Sequence, residues 1–141
     1  MDSSGERNDP VATTVREVLE DQPVRLGVLF GSQARGTAGT HSDVDVAVEF
    51  DESVDDRFRA RLTLGADLAR ALGTDDVDVV DLDDVRPAIG YSALDRGRVL
   101  VGDPDRAKKL AEAFEREREA STSRERRERF DETLDRLEEL V

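Results

Sequence analysis

Hydrophobic positions along the chain change repeatedly between helical spacing and strand-like spacing. After Asp9-Pro10, a typical helix start, apolar residues recur at helical intervals at Val11, Val15, Val18 and Leu19. Runs rich in β-branched residues predict four strands, at Val24–Phe30, Val44–Phe50, Val77–Leu82 and Arg98–Val101. Two further helices are predicted over residues 54–72, closed by Gly73, and over about 85–95.

The helix predicted over residues 54–72 carries a wide apolar stripe. Its members at helical spacing are Val54, Phe58, Leu62, Ala66 and Ala69, and the stripe is widened by Leu64, Leu68 and Leu72. This pattern indicates an amphipathic helix with one broad apolar face.

The order of these elements predicts the fold class. Helices separate the later strands, but the segment between the first two strands is too short and irregular for a crossover helix. We therefore expect an α/β (α+β) domain over residues 9–104, after a disordered start at 1–8. Its core would be a small sheet of about four strands in mixed directions, with flanking helices, rather than a Rossmann domain.

Residues 105–141 predict a helical C-terminal extension in two parts. Ser121-Thr122-Ser123 interrupts the pattern and offers an N-cap for the second part. That part has an apolar seam formed by Phe130, Leu134, Leu137 and Val141. The seam would fold back on the domain or bind a partner, which leaves a hetero-complex or an oligomer open.

The chain is strongly acidic, with 34 Asp and Glu against 21 Lys and Arg and a net charge of -13. Only Lys108 and Lys109 are lysines, so arginine supplies nearly all the positive charge. An Asp-rich, Arg-rich surface suits a high-salt cytosol, and we hypothesise a halophilic protein. The charge argues against direct nucleic-acid binding, because phosphate backbones are held by excess positive charge.

Other compositional features exclude further classes of protein. The sequence has no cysteine, which excludes a disulfide framework and a thiolate zinc site. No apolar run approaches the roughly 20 residues that cross a bilayer, and no basic, then apolar, leader follows Met1. We expect a cytoplasmic protein with no membrane contact.

Asp43 and Asp45 head the second predicted strand, but their spacing alone carries little information. In a chain with 20 Asp, chance predicts roughly three Asp pairs two residues apart, and four occur. The first pair differs from the others by its context, because it follows the turn-rich segment GSQARGTAGTHS and begins an apolar strand.

In this context the pair fits a divalent metal site. Carboxylates two residues apart on a strand project to one side and can share a hard cation, which relieves their repulsion. Gly31-Ser32 could bring backbone amides and a hydroxyl close to phosphate oxygens, and Arg35 adds a permanent positive charge. Asp78, flanked by two valines that should face the core, is the candidate third acid of a two-metal site with ions roughly 3.5–4 Å apart.

Several motifs together resemble those of a known family. Gly31-Ser32, Ala34-Arg35-Gly36 and Ser42-Asp43-Val44-Asp45 are followed by the strand VDVVDL that contains Asp78. This series is similar to the GSxARG, SDxDL and later aspartate of the minimal nucleotidyltransferases in the polymerase-β-like superfamily, over about residues 24–102. The match is closest to MNT-type antitoxins encoded beside HEPN ribonuclease toxins. Val46 stands where leucine is usual in the motif, a change that an apolar position should tolerate.

The resemblance implies roles for individual residues. Asp43 and Asp45 would bind Mg²⁺, with Asp78 binding metal and accepting the proton of the attacking hydroxyl. Gly31, Ser32 and Arg35 would bind the nucleotide. The implied reaction transfers AMP from ATP to a tyrosine hydroxyl of the HEPN toxin and so neutralises it.

Two other functions remain open from the sequence. The chain could be a non-catalytic antitoxin that blocks its partner by occupancy through the C-terminal seam, or the catalytic subunit of a small-molecule nucleotidyltransferase of the aminoglycoside type. His41, the only histidine, is expected to be an exposed loop residue, and Tyr91 a half-buried core residue. The sequence does not choose between ATP and other triphosphates, or between Mg²⁺ and Mn²⁺.

Overall fold

The computed structural model of the protein describes residues 9–31 and 43–139, with side chains described as far as residue 131. Within these residues the elements are helix α1 (Pro10–Glu20), strand β1 (Val24–Phe30), strand β2 (Val44–Phe50), helix α2 (Arg57–Leu72), strand β3 (Val77–Asp81), helix α3 (Pro87–Arg96), strand β4 (Arg98–Val101) and helix α4 (Pro104–Glu139). The predicted disorder of residues 1–8 lies outside the described residues.

The four strands form one sheet in the order β3-β2-β1-β4. Strand β1 pairs antiparallel with β2 and with β4, whereas β2 pairs parallel with β3. The mixed sheet predicted from the sequence is therefore confirmed. Because β2 and β3 run parallel and β1 runs against them, the start of β2, the start of β3 and the end of β1 meet at one end of the sheet.

Each face of the sheet is covered by two helices. Helices α1 and α2 cover one face, in a cluster whose buried members are Ala12, Val15, Leu19, Leu29, Val44, Val46, Val48, Phe50, Leu64, Leu68, Val79 and Leu100. Helix α3 and the first part of α4 cover the other face, with Leu26, Val28, Ala47, Leu82, Ala93, Leu94, Ala107 and Phe114. The two clusters come from alternate positions of the strands, as the period of a pleated strand requires.

Helices α1 and α2 begin with the same type of cap. The side chain of Asp9 accepts a hydrogen bond from the Ala12 amide at 3.1 Å, and the side chain of Asp56 accepts one from the Arg59 amide at 3.1 Å. Helix α2 ends at Gly73, whose φ of 70° is the left-handed conformation that favours glycine. The predicted start of this helix at residue 54 was three residues too early, because the capping aspartate is residue 56.

The broad apolar stripe predicted for α2 divides into two. Leu64 and Leu68 are fully buried, whereas Phe58 is 64% exposed and Leu62 is 56% exposed. At about 100° per residue, Leu68 lies about 120° around the helix from Leu62, which is too far for both to face one sheet. The prediction of one apolar face was therefore wrong for the arc that contains Phe58, Leu62 and Ala66.

Helix α4 is continuous, so the predicted interruption at Ser121-Thr122-Ser123 was wrong. The Thr122 hydroxyl donates a hydrogen bond to the carbonyl of Arg118 at 3.0 Å, which satisfies it inside the helix. Phe114 is buried, whereas Phe130 is 63% exposed, so the second half of α4 leaves the domain. The helix is joined to the sheet by Arg106, whose guanidinium donates two hydrogen bonds to the buried Glu49 of β2.

No helix in the described part of the chain is both long and apolar enough to cross a membrane.

Candidate active site

Three aspartates meet at the end of the sheet where β1 ends and where β2 and β3 begin. Asp45 of β2 lies opposite Asp78 of β3 in the parallel register, and Asp43 immediately precedes β2. Val44 and Val46 pack into the cluster under α1 and α2, so the aspartates that alternate with them project to the other face. The register therefore brings Asp43, Asp45 and Asp78 to one face of the sheet.

The three carboxylates differ in their surroundings. Asp43 and Asp78 are exposed, whereas Asp45 is partly buried between them. Burial raises the pKa of Asp45, and the negative charges of Asp78 and Asp43 raise it further. Asp45 is therefore a carboxylate whose ionised form the folded protein disfavours, and which a bound cation would stabilise.

Gly31 is required at the end of β1 for two reasons. Its φ of 76° is the left-handed conformation, which residues with a side chain rarely adopt. A Cβ at this position would clash with Oδ2 of Asp45. The glycine thus lets the backbone turn directly beside the partly buried carboxylate of Asp45, while its binding of a ligand stays a prediction.

Two of the three other aspartate pairs of the same spacing have structural partners, and the third contains Asp78 itself. Asp81 is buried and lies 3.7 Å from Nε of Arg57, and Asp83 lies 3.3 Å from Nη1 of the same arginine. Asp103 accepts a hydrogen bond from the Asp105 amide at 2.9 Å, at the start of α4. Among the described residues, no salt bridge or hydrogen bond neutralises the carboxylates of Asp43, Asp45 and Asp78. Within the described residues, these three carboxylates lie beside one another and not beside an arginine, which distinguishes them from Asp81 and Asp83.

The chemistry of this edge suits a hard divalent cation. Carboxylate oxygens are the ligands that Mg²⁺ and Mn²⁺ accept, and three carboxylates share the face. In the described part of the chain, no group of three or more His, Asp or Glu side chains lies close enough together to hold a metal ion as it stands. Such a set would require like charges to converge, which is unfavourable until a cation is present. The residues therefore fit a divalent cation by donor type, by shared face and by their mutual repulsion.

Three residues named from the sequence lie outside the described residues: Ser32, Arg35 and His41. Tyr91 packs half-buried against the cluster under α3 and α4, with the Arg118 guanidinium 4.9 Å from its ring centroid. The sequence left a choice among neighbouring acids on β3, and the structure places Asp78, not Asp81, opposite Asp45.

One feature near this end of the sheet was not predicted from the sequence. Between α2 and β3 there is an open groove lined by residues that include Leu62, Ala66 and Asp78. The angular separation of Leu62 from Leu68 was a signal that could have indicated it, because the two apolar arcs of α2 cannot both reach the sheet.

Residues 13–106 match the family described as polymerase beta, nucleotidyltransferase. This match covers about two thirds of the chain, and the chain belongs to that family. The resemblance first drawn from the glycine-serine and aspartate motifs is thereby confirmed.

The chain is also similar to individual members of the family. It is 37% identical over 79 residues to the protein adenylyltransferase MntA of Shewanella oneidensis, a match that covers 56% of this chain and 55% of that protein. The matching segment therefore spans only about half the length of this curated relative.

Solved structures give the same fold over most of the chain. A toxin–antitoxin crystal structure with AMP-PNP has a chain 28% identical to this one, with a TM-score of 0.71, and the match covers 87% of this chain and 98% of that chain. The tri-AMPylated Shewanella oneidensis HEPN toxin in complex with its MNT antitoxin gives 25% identity and a TM-score of 0.64, covering 88% of this chain and 96% of that chain.

Proposed function

We propose that this chain is a Mg²⁺-dependent nucleotidyltransferase that transfers AMP from ATP to a tyrosine hydroxyl of a HEPN-type toxin, and so acts as an antitoxin. The observation that carries the proposal is the parallel register that sets Asp45 opposite Asp78 beside Gly31. Support also comes from the relatives, one named a protein adenylyltransferase and one crystallised with AMP-PNP.

The proposed reaction is a single displacement at phosphorus. The tyrosine oxygen bonds to the α-phosphorus of ATP, and the bond between that phosphorus and the oxygen bridging to the β-phosphate breaks. Pyrophosphate leaves with the electron pair of the broken bond. The hydroxyl proton passes to the carboxylate of Asp78, which is exposed at the edge of the sheet and open to an incoming acceptor.

Asp43 and Asp45 hold the cation in this proposal. Bound Mg²⁺ supplies charge that activates the attacking oxygen and offsets the charge of the triphosphate. Gly31 allows the backbone to pass beside Asp45, so that its amide and the following Ser32 can bind phosphate oxygens, while Arg35 contributes positive charge to the same phosphates.

The test is intact-protein mass spectrometry of a HEPN-type toxin, the partner in this proposal, after incubation with the chain, MgATP and KCl. We expect a mass increase of one or more AMP units with the wild-type chain and none with Asp43→Asn or Asp45→Asn. Asp95→Asn, on the exposed side of α3, makes the same change in net charge and should retain full transfer. Transfer that survives in the Asp43→Asn, Asp45→Asn double variant would refute the catalytic role of this edge.

The same experiment separates the alternatives. A stable complex without a mass increase would favour an antitoxin that acts by occupancy. AMP transfer to a small cationic acceptor in the absence of any protein partner would favour a small-molecule nucleotidyltransferase.

A further inference from the structure

Helix α2 exposes an apolar stripe that the domain does not use for its own core. Phe58 is 64% exposed and Leu62 is 56% exposed, and Ala66 lies exposed one turn further on. These residues follow at intervals of four along one side of the helix. The core contact of α2 is made by Leu64 and Leu68, which are fully buried, so the fold does not need the stripe.

The stripe borders a groove whose opposite wall is the strand that carries Asp78. The groove has a volume of about 430 Å³, and Leu62, Gly65, Ala66 and Ala69 of α2 form one wall, with Val77 and Asp78 of β3 opposite. Strand β3 is at the edge of the sheet, so this side of the groove is open to a second molecule. A segment held in the groove would therefore lie along the edge of the strand that carries Asp78, whose carboxylate projects to the other face of the sheet.

The charge around the stripe is predominantly negative. Asp75 lines the same groove, and a second hollow of about 450 Å³ around Phe58 is lined by Asp55, Asp56 and Asp84 among others. Of the two arginines in that hollow, Arg57 is already paired with Asp81 and Asp83. The other, Arg61, lies 5.6 Å from the ring centroid of Phe58. The surface offers apolar contact inside an acidic rim.

We propose that the groove between α2 and β3 is the docking site of the acceptor protein, and that it receives a basic segment that carries apolar side chains next to the tyrosine to be modified. This inference rests on the proposed function. The acidic rim matches a basic segment, and the stripe of Phe58 and Leu62 supplies an apolar contact along the edge of the strand that carries Asp78. A second copy of this chain, with a net charge of -13, would bring the same acidic rim against itself.

The test uses a double variant, Phe58→Ser with Leu62→Ser. Both side chains are more than half exposed, so the variant should keep the fold. The matched control is Ile89→Ser, which removes an apolar side chain that is 46% exposed on α3, away from the groove. The probe is the HEPN-type toxin used to test the proposed function, and its affinity is measured by titration calorimetry with and without MgATP.

For the double variant we expect the Kd for the partner to rise about tenfold or more, which is the usual effect of losing central apolar contacts. The KM for the partner in AMP transfer should rise by a similar factor, whereas kcat at saturating partner and the affinity for MgATP should not change. Ile89→Ser should match the wild type in all four quantities. Asp75→Asn should weaken the complex at low salt and have little effect in molar KCl, because salt screens the charge of the rim.

The outcomes distinguish this inference from the proposed function. A wild-type chain that binds the partner without modifying it would refute the proposed function, while the Kd of the double variant would still decide the docking site. A double variant that binds and modifies the partner as the wild type does would overturn the docking site alone. A wild-type dimer that dissociates in the double variant, with partner binding unchanged, would show that a second copy covers the groove and would overturn it as well.

Discussion

The sharpest consequence of the carboxylate cluster is that Asp45→Asn should stabilise the protein when no divalent cation is present. The substitution removes one charge from a pair of aspartates that lie directly opposite each other on neighbouring strands. Like charges in such a pair destabilise by roughly 0.2–1 kcal/mol, so we expect a gain of about 0.5 kcal/mol. For a domain of this size that corresponds to an increase in Tm of about 2 °C.

The size of this effect should depend on pH. The folded protein raises the pKa of Asp45 above its ordinary value of 3.8, so the carboxyl favours folding only while it is protonated. That contribution is fully present below pH 3.8 and is lost as the pH rises through the folded pKa. The stability difference between Asp45→Asn and wild type should therefore be near zero in acid, grow through this window and then stay constant.

A divalent cation should reverse the order of the two proteins. At a concentration ten times its Kd, bound Mg²⁺ stabilises the wild type by about 1.4 kcal/mol, and Asp45→Asn should lose most of that gain. Thermal melts with increasing MgCl₂, at constant KCl to hold screening fixed, measure this directly. Asp95→Asn is the control and should retain the full response to Mg²⁺. Destabilisation of the cation-free protein by Asp45→Asn, or an undiminished Mg²⁺ response in that variant, would refute the reasoning.

Four further predictions follow from other parts of the structure. Arg106→Met should destabilise the protein by about 2–3 kcal/mol in urea melts, because it leaves the buried carboxylate of Glu49 without its guanidinium. Adding Glu49→Met should recover most of that loss, and a double variant as unstable as the single one would contradict it. Gly31→Ala should abolish AMP transfer and the Mg²⁺ response, whereas Gly73→Ala, with a similar φ of 70° and nothing within 4 Å of its Cβ, should show only the backbone penalty of about 1–2 kcal/mol. Removal of residues 121–141 should change the free energy of unfolding by less than about 1 kcal/mol and preserve AMP transfer, because the described side chains of that segment are largely exposed. If the truncated chain still transfers AMP but no longer neutralises the toxin, that result would favour neutralisation by occupancy through the C-terminal seam. Melting temperatures should increase from low salt to molar KCl if the acidic surface is a halophilic adaptation, and a flat or falling profile would refute that hypothesis.

The sequence was sufficient to predict the strands of the sheet. Alternating valines predicted β2 within its observed bounds, and the short segment before it predicted the antiparallel turn back from β1. It was not sufficient to predict the structure of the helices where two local preferences conflict. Helix α2 contains more apolar positions than one face can hold, and only tertiary packing decides that Leu64 and Leu68 are buried while Phe58 is exposed. In α4, serine and threonine favour a break, but Thr122 satisfies its hydroxyl inside the helix.

The sequence was likewise not sufficient to predict which aspartates come together at the candidate active site. Spacing alone could not distinguish Asp43 and Asp45 from three other aspartate pairs, nor choose the third acid on β3. The parallel register favours Asp78, because it sets Asp78 opposite Asp45, whereas Asp81, three residues along the same strand, pairs with Arg57. Register depends on how several strands pack at once, so a single sequence does not determine it.

The positions of the arginines bear on the proposed cation site formed by Asp43, Asp45 and Asp78. Nineteen of the 21 basic residues are arginines, and those near the core are paired with structural acids, as Arg106 is with Glu49 and Arg57 with Asp81. At the carboxylate edge, within the described residues, no arginine takes that place, although a permanently charged side chain there would relieve the repulsion. An arginine would also occupy the position that an exchangeable cation needs and would fix the charge whether or not nucleotide is bound. In the proposed cation site, the mutual repulsion of Asp43, Asp45 and Asp78 makes the edge depend on a bound cation, and the reversal of stability by Mg²⁺ in the Asp45→Asn experiment measures that dependence.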